Sequence, residues 1–184
     1  MKLIENQVFN QCNHLEQAEY FETTFENCDL NKFNFSQFEF ENCVFKNCNL
    51  SLGQFNQTSF REVEFIDCKL MGIDFSKINA FLMQWRFNRC NLQFSIFNGL
   101  KIKKTSFISC ELQDADFGLC DLTQAWFDQS DLSRAVFDNS NLTQADFRTA
   151  KNFSIRPESN LIKKAKFAQN NLMGLVQHHQ IQIE

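Results

Sequence analysis

The sequence predicts an all-β fold, a solenoid whose coil has four sides, closed at its C-terminal end by a short capping helix. Three observations carry that expectation. A large apolar residue returns every fifth position, as in Leu122, Phe127, Leu132, Phe137, Leu142 and Phe147. A small residue stands two places before each of them: Cys120, Ala125, Ser130, Ala135, Ser140 and Ala145. The tripeptide Cys-x-Leu recurs at 28–30, 48–50, 68–70, 90–92 and 110–112. Each step is four units of five, except from Cys68 to Cys90, where it is two positions longer.

A period of five fits neither regular element. Five residues of α-helix turn the chain to about 140° from the start, so the large residues would scatter around the helix. Along a flat strand the same spacing sends successive ones to opposite faces. A long tract of that kind signals a repeat architecture, here a coil built of short extended pieces and corners. Each large residue points inward, the small one two places earlier lies beside it, and the other three positions face water. Four such units fill one step of the longer period, hence four sides. Equivalent side chains then stack coil on coil at the strand–strand spacing, about 4.8 Å.

Taken in chain order, residues 1–19 precede the register and are expected to cap the first coil. The body runs over 20–150. Its inward slots are Tyr20, Phe25, Leu30 and every fifth residue to Phe75. They slip by two and resume at Leu82, Phe87 and Leu92, continuing to Phe147. The slip predicts a small bulge near Ser76–Phe81. Sixteen of the 23 Phe fill inward slots, counting Phe167, so the aromatic excess belongs to a core stack. About seven coils at about 4.8 Å give a rod on the order of 30–35 Å long. Residues 151–184 form the C-terminal cap. There Leu172, Leu175 and Val176 recur at helical spacing, and IQIE reads as a short strand. The helix is expected to close the stack, because an open stack exposes unpaired edges. Its apolar residues Leu172, Met173, Leu175 and Val176 either fold back as a lid or pair two copies into a two-fold dimer.

Seven of the eight cysteines (Cys28, Cys43, Cys48, Cys68, Cys90, Cys110 and Cys120) fall in the small inward slot. They read as reduced core residues of a cytoplasmic protein, since stacking at about 4.8 Å exceeds the roughly 3.8 Å typical between disulfide Cβ atoms. Cys12 lies outside the register and is the expected reactive thiol. No Cys-x-x-Cys or zinc-spaced His cluster accompanies them. His178 and His179 are adjacent, share no helix face, and are expected at the surface near a helix C-terminus. The sequence also lacks Gly-x-Ser-x-Gly, Gly-x-x-x-x-Gly-Lys-Ser/Thr and His-Glu-x-x-His. No catalysis, cofactor or metal is expected, and no apolar run approaches the roughly 20 residues that span a bilayer.

Charge is distributed unevenly. Residues 1–104 carry 12 acids and 11 bases. Residues 105–147 carry eight acids (Glu111, Asp114, Asp116, Asp121, Asp128, Asp131, Asp138 and Asp146) and one base, Arg134. Residues 148–184 carry six bases and two acids. The eight acids occupy outward slots. One reading is solubility and support of the corners, where Asp bonds turn amides. The other is mimicry of a phosphate backbone, whose charges repeat at about 3.4 Å per strand.

From about residue 20 to residue 150 the chain resembles the pentapeptide-repeat family, on the inward and small residues quoted above. That resemblance implies a right-handed quadrilateral β-helix. The chain is also similar to a compact bacterial subset: the mycobacterial fluoroquinolone-resistance protein, the Qnr-type resistance proteins and the microcin immunity protein. The likeness rests on uninterrupted repeats, a small mid-chain irregularity, and a tail, SIRPESNLI, followed by a closing segment. Qnr-type proteins project longer loops, where this chain has only its two-residue slip. The resemblance implies a dimeric, DNA-shaped rod that engages DNA gyrase or topoisomerase IV and counters quinolones or toxins. The partner would then be a protein, with no direct binding of nucleic acid or membrane, and the outward acids from Glu111 to Asp146 would meet it. The alternatives are a general protein-interaction scaffold and a redox-responsive thiol stack.

Overall fold

The computed structural model describes residues 1–81 and 83–181. Leu82, where the second register is counted to resume, and the last three residues of the expected IQIE strand lie outside the described residues. The chain is a parallel β-solenoid. Strands Leu3–Glu5, Glu19–Phe21, Glu39–Glu41 and Ser59–Arg61 form one parallel sheet. Strands Val8–Asn10, Thr24–Glu26, Val44–Lys46, Val63–Ile66, Trp85–Asn88, Ser106–Ile108 and Trp126–Asp128 form a second. Registers such as Phe45↔Phe65 and Phe107↔Phe127 join residues one coil of four units apart, and Phe65↔Phe87 carries the two extra positions of the slip. The other two sides are held by single parallel bridges, such as Glu111↔Asp131 and Asp116↔Val136.

Four faces can be named by their inward residues. Face A holds Leu92, Leu112 and Leu132, and face B holds Phe97, Phe117 and Phe137. Face C holds Ile102, Leu122 and Leu142, and face D holds Phe107, Phe127 and Phe147. All twelve are buried. On face D, Phe9, Phe25, Phe45, Phe65, Phe87, Phe107, Phe127, Phe147 and Phe167 form one continuous column. Their centroids lie 4.5–5.4 Å apart, with planes within 15° of one another. The opposite column on face B meets it edge to face, as in Phe117–Phe127 at 5.7 Å and 85°. Edge-to-face and offset pairs add about 0.5–1.5 kcal/mol each to the burial of the rings.

Two further rules complete the coil. The residue two places past most inward ones adopts a left-handed backbone; in the body, from Lys104 to Gln144, its φ lies between 52° and 60°. Non-glycine residues adopt that conformation at a cost of roughly 1–2 kcal/mol. The cost is offset because most corner amides donate to the next coil, as Gln124 N does to Thr143 O at 2.9 Å. The small slot also bonds downward. Cys110 Sγ, Ser130 Oγ and Ser140 Oγ donate to the carbonyls of Phe87, Phe107 and Phe117 at 3.5, 3.0 and 2.7 Å. Thiol and hydroxyl therefore serve interchangeably there.

The register slips where expected, but the slip does more than bulge. A single 3-10 turn, Phe75–Lys77, leads into an irregular segment. Trp85 then takes the slot that Thr23, Cys43, Thr105 and Ala125 fill in the same column on face D; it is buried, packs against Phe60 and Phe75, and donates Nε1–H to Phe60 O at 3.2 Å. At the N-terminal end the stack extends to Leu3, through a first coil four positions shorter than those of the body (Ile4↔Tyr20, Phe9↔Phe25). Cys12 falls within the stack there, contrary to the expectation that it lies outside the register. Its carbonyl accepts Asp29 N, and its Sγ lies 2.6 Å from Cys28 Sγ at the end of a thiol column running through Cys48, Cys68, Cys90 and Cys110. It is half-buried and burial pushes its thiol pKa up, which lowers its reactivity.

The C-terminal cap departs from expectation in kind. Gln169–Leu175 and Gln177–His179 are 3-10 helices, not one amphipathic α-helix. One-off contacts set this geometry. Asn171 Nδ2 donates to Phe147 O at 2.9 Å, while its Oδ1 accepts Ala168 N at 3.0 Å. Gly174 lies so close to Phe153 that a Cβ would overlap the ring, and its carbonyl accepts Ile155 N at 2.9 Å. Ile181, the first residue of the expected strand, is irregular.

Candidate functional site

The rod has no deep cleft among its described residues; its concavities are shallow grooves between outward side chains. One is lined by Gln124, Trp126, Gln144, Asp146, Lys164 and Lys166. The outward slots make up the exposed surface, and the eight acids divide into two groups there.

Three are paired with cations. Asp114 Oδ2 lies 2.6 Å from Arg134 Nη2 and Asp121 Oδ2 lies 3.1 Å from Lys103 Nζ. Asp146 Oδ2 lies 2.7 Å from Arg148 Nη2 and 3.8 Å from Lys166 Nζ. The guanidinium of Arg134 lowers the Asp114 pKa, and that of Arg148 lowers the Asp146 pKa. Burial raises that of Asp121, but hydrogen bonds from Thr123 and Lys103 outweigh it and the net direction is down. A signal for the first pair was present in the sequence, since Asp114 and Arg134 stand one coil apart.

The other five, Glu111, Asp116, Asp128, Asp131 and Asp138, make no ion pair among the described residues. Four of them cluster on two adjacent faces. Glu111 and Asp131 are neighbours on face A, bridged coil to coil. Asp116 and Asp138 lie on face B, while Asp128 stands alone on face D. Neutral amides hold the face A pair: Asn91 Nδ2 donates to Glu111 at 2.7 Å, and Gln113 Nε2 and Asn152 Nδ2 donate to Asp131 at 2.8 and 2.9 Å.

Several acids also build the corners. Asp116, Asp121, Asp131 and Asp146 accept the backbone N–H two residues on, at 2.8–3.2 Å. Asn91 and Asn141 do the same with an uncharged amide. The turn thus requires a side-chain oxygen, not a charge. Gly118 fits this geometry because a Cβ there would crowd Asn98 Nδ2 and Asp116 Oδ1. For Asp131, burial raises the pKa, but bonds from Ser133, Asn152 and Gln113 prevail and hold it at about 2.

The C-terminal residues expected to pair copies point two ways. Leu172 and Met173 are exposed, whereas Leu175 and Val176 are half-buried. His178 and His179 also depart from expectation. Their ring centroids lie 4.0 Å apart, and the His178 side chain is only 12% exposed, with Nε2 3.0 Å from Glu158 Oε1.

Comparison with known proteins places this surface on a recognised scaffold. No curated protein matches the sequence. Two structures of trypsin-treated variants of QnrB1, described as a plasmid-mediated fluoroquinolone resistance protein, are similar across 100% of this chain. They align over 98% and 99% of their own chains, each with a TM-score of 0.66 and 16% sequence identity, a likeness of fold. The family described as the pentapeptide repeat region matches residues 18–80 and 78–147. With the inward slots buried at every fifth residue through those spans, the chain belongs to the pentapeptide-repeat family.

Proposed function

We propose that the chain is a non-catalytic modulator of a type II topoisomerase. In this reading DNA gyrase or topoisomerase IV accepts the rod in place of a DNA segment, and the complex protects the enzyme against a quinolone or a toxin. The protein would act in the cytoplasm. One observation carries the reading: four carboxylates with no ion pair among the described residues, Glu111, Asp116, Asp131 and Asp138, on two adjacent faces of a rod that shows no deep cleft there. A partner's basic DNA-binding groove would meet them as it meets phosphates, with salt-dependent affinity. The likeness of fold to QnrB1 makes the partner class worth testing first.

The test uses neutral amides, which retain the turn bonds while removing charge. Glu111→Gln, Asp116→Asn, Asp131→Asn and Asp138→Asn together should abolish both the inhibition of gyrase supercoiling and the rescue from a quinolone. The paired set, Asp114→Asn, Asp121→Asn and Asp146→Asn, should change them far less. No binding, inhibition or rescue by the unaltered chain at micromolar concentration would sink the proposal. A second reading, a protein-interaction scaffold with another partner, draws on Trp126. It is 45% exposed on face D beside Lys164 and Lys166, and aromatic residues with cationic neighbours are frequent interface anchors. A partner lost with Trp126→Ala but kept by the fourfold amide variant would favour it.

A further inference from the structure

Beyond the acidic faces, the described residues hold one cluster of metal-ligating side chains. Glu158 belongs to the 3-10 turn Pro157–Ser159 of the cap, and His178 and His179 to the 3-10 turn Gln177–His179 of the closing segment. We propose that these three side chains bind a divalent transition-metal ion of the zinc class, and that the ion pins the closing segment to the end of the solenoid.

The geometry supplies the argument. One donor atom from each of the three lies within 4.8 Å of the others. Glu158 Oε1 and His178 Nε2 already stand 3.0 Å apart. Zinc bonds to nitrogen and carboxylate oxygen are about 2.0–2.2 Å long, so tetrahedral ligands lie roughly 3–3.5 Å apart. One pair is therefore at ligand separation. The remaining contraction falls to His179 and Glu158, which are exposed and free to rotate. The His178 ring is largely buried, and its Nδ1 has no hydrogen-bond partner among the described residues. The structure thus holds the ring in place with only one of its two nitrogens satisfied, by Glu158. Two imidazoles and one carboxylate select zinc, nickel or copper over magnesium or calcium, and leave a fourth position to water. Although His178 and His179 are adjacent in sequence, their side chains converge, with ring centroids 4.0 Å apart.

Pinning has a physical consequence. Few backbone bonds tie 177–180 to the body, and Gln177 Nε2 reaches Phe153 O at only 3.5 Å. A metal bridge between Glu158 in the cap and His178 in the closing segment would cross-link the two in the folded state alone, so the ion stabilises that state by mass action.

The test is titration of untagged full-length protein with zinc chloride by calorimetry, in a Cys12→Ser background that removes the half-buried thiol as a competing ligand. The expected result is one zinc per chain, with affinity falling on the order of 100-fold in His178→Gln and in the exposed His179→Gln. Zinc should also slow deuterium uptake across residues 169–180 in the parent and not in either variant. The proposal is overturned by the absence of saturable zinc, by zinc binding undiminished in the double histidine variant, or by binding that leaves uptake across 169–180 unchanged.

Discussion

The body from Phe87 to Phe147 and the closing segment from Gln169 to His179 are parts of one chain, yet different physics holds each. In the body most units repeat the same three devices: a buried large residue, a small residue beside it facing the coil below, and a left-handed corner whose amide bonds the coil above. Each coil thereby makes the template for the next. The closing segment has no template. Single contacts place it: Gly174 against Phe153, Asn171 on Phe147 O, His178 on Glu158. Repetition makes a region legible from its spacing; contacts made once are not.

Substitution in the ring column should break the comparison hardest. Phe127 is fully buried, stacked between Phe107 and Phe147 at 5.0 and 4.8 Å. Phe127→Ala should cost about 3–5 kcal/mol in denaturant unfolding, since neighbouring coils cannot collapse into the gap. Gly174→Ala comes next. It should strain the closing segment by about 1–3 kcal/mol, read as faster proteolysis after residue 167 with the far-ultraviolet spectrum of the body unchanged. A loss of the body's spectrum would show that the segment is part of the cooperative unit.

Acid sensitivity is the smallest effect. The Asp131 carboxylate has a folded pKa of about 2, below its ordinary value. A depressed folded value gives stability that is present above the unfolded pKa, near 4, and lost as pH falls toward 2. Asp131→Asn keeps the turn bond but loses the charge, so it should destabilise by about 1 kcal/mol at pH 7. Parent and variant should converge near pH 2, as urea midpoints across that range would show.

The same contrast explains what is readable. Inward slots, small slots and the four-sided coil follow from spacing alone, because the environment at Phe117 is that at Phe97 and Phe137. The slip is visible as the longer step from Cys68 to Cys90, but the role of Trp85 is not. A large ring there departs from Cys43, Thr105 and Ala125 in the same column, and spacing alone does not say that its indole N–H makes, to the Phe60 carbonyl, the bond that a thiol or hydroxyl makes elsewhere. The shortened first coil hides Cys12 for a related reason, since Phe9 pairs with Phe25 across less than a full set of units. In the cap, helical spacing of Leu172, Leu175 and Val176 suggests an α-helix. Close backbone packing at Gly174 and the Asn171 bonds override that preference. As for the acidic site, the sequence places all eight carboxylates outside but does not say which are neutralised. Pairing depends on the residue one coil away.

One property underlies both the fold and its surface: every fifth side chain turns inward while the backbone bonds coil to coil. Amide hydrogen exchange, resolved by residue, tests it directly. On faces A to C, inward residues such as Leu112, Phe117, Leu122 and Leu132 donate their N–H to the next coil. The amides just after them, at Gln113, Gly118, Thr123 and Ser133, have at most a side-chain acceptor. Protection should therefore oscillate with a period of five through 112–143, with minima at those following positions and little protection over 169–180. Uniform protection through the body, or the period of an α-helix, would contradict it.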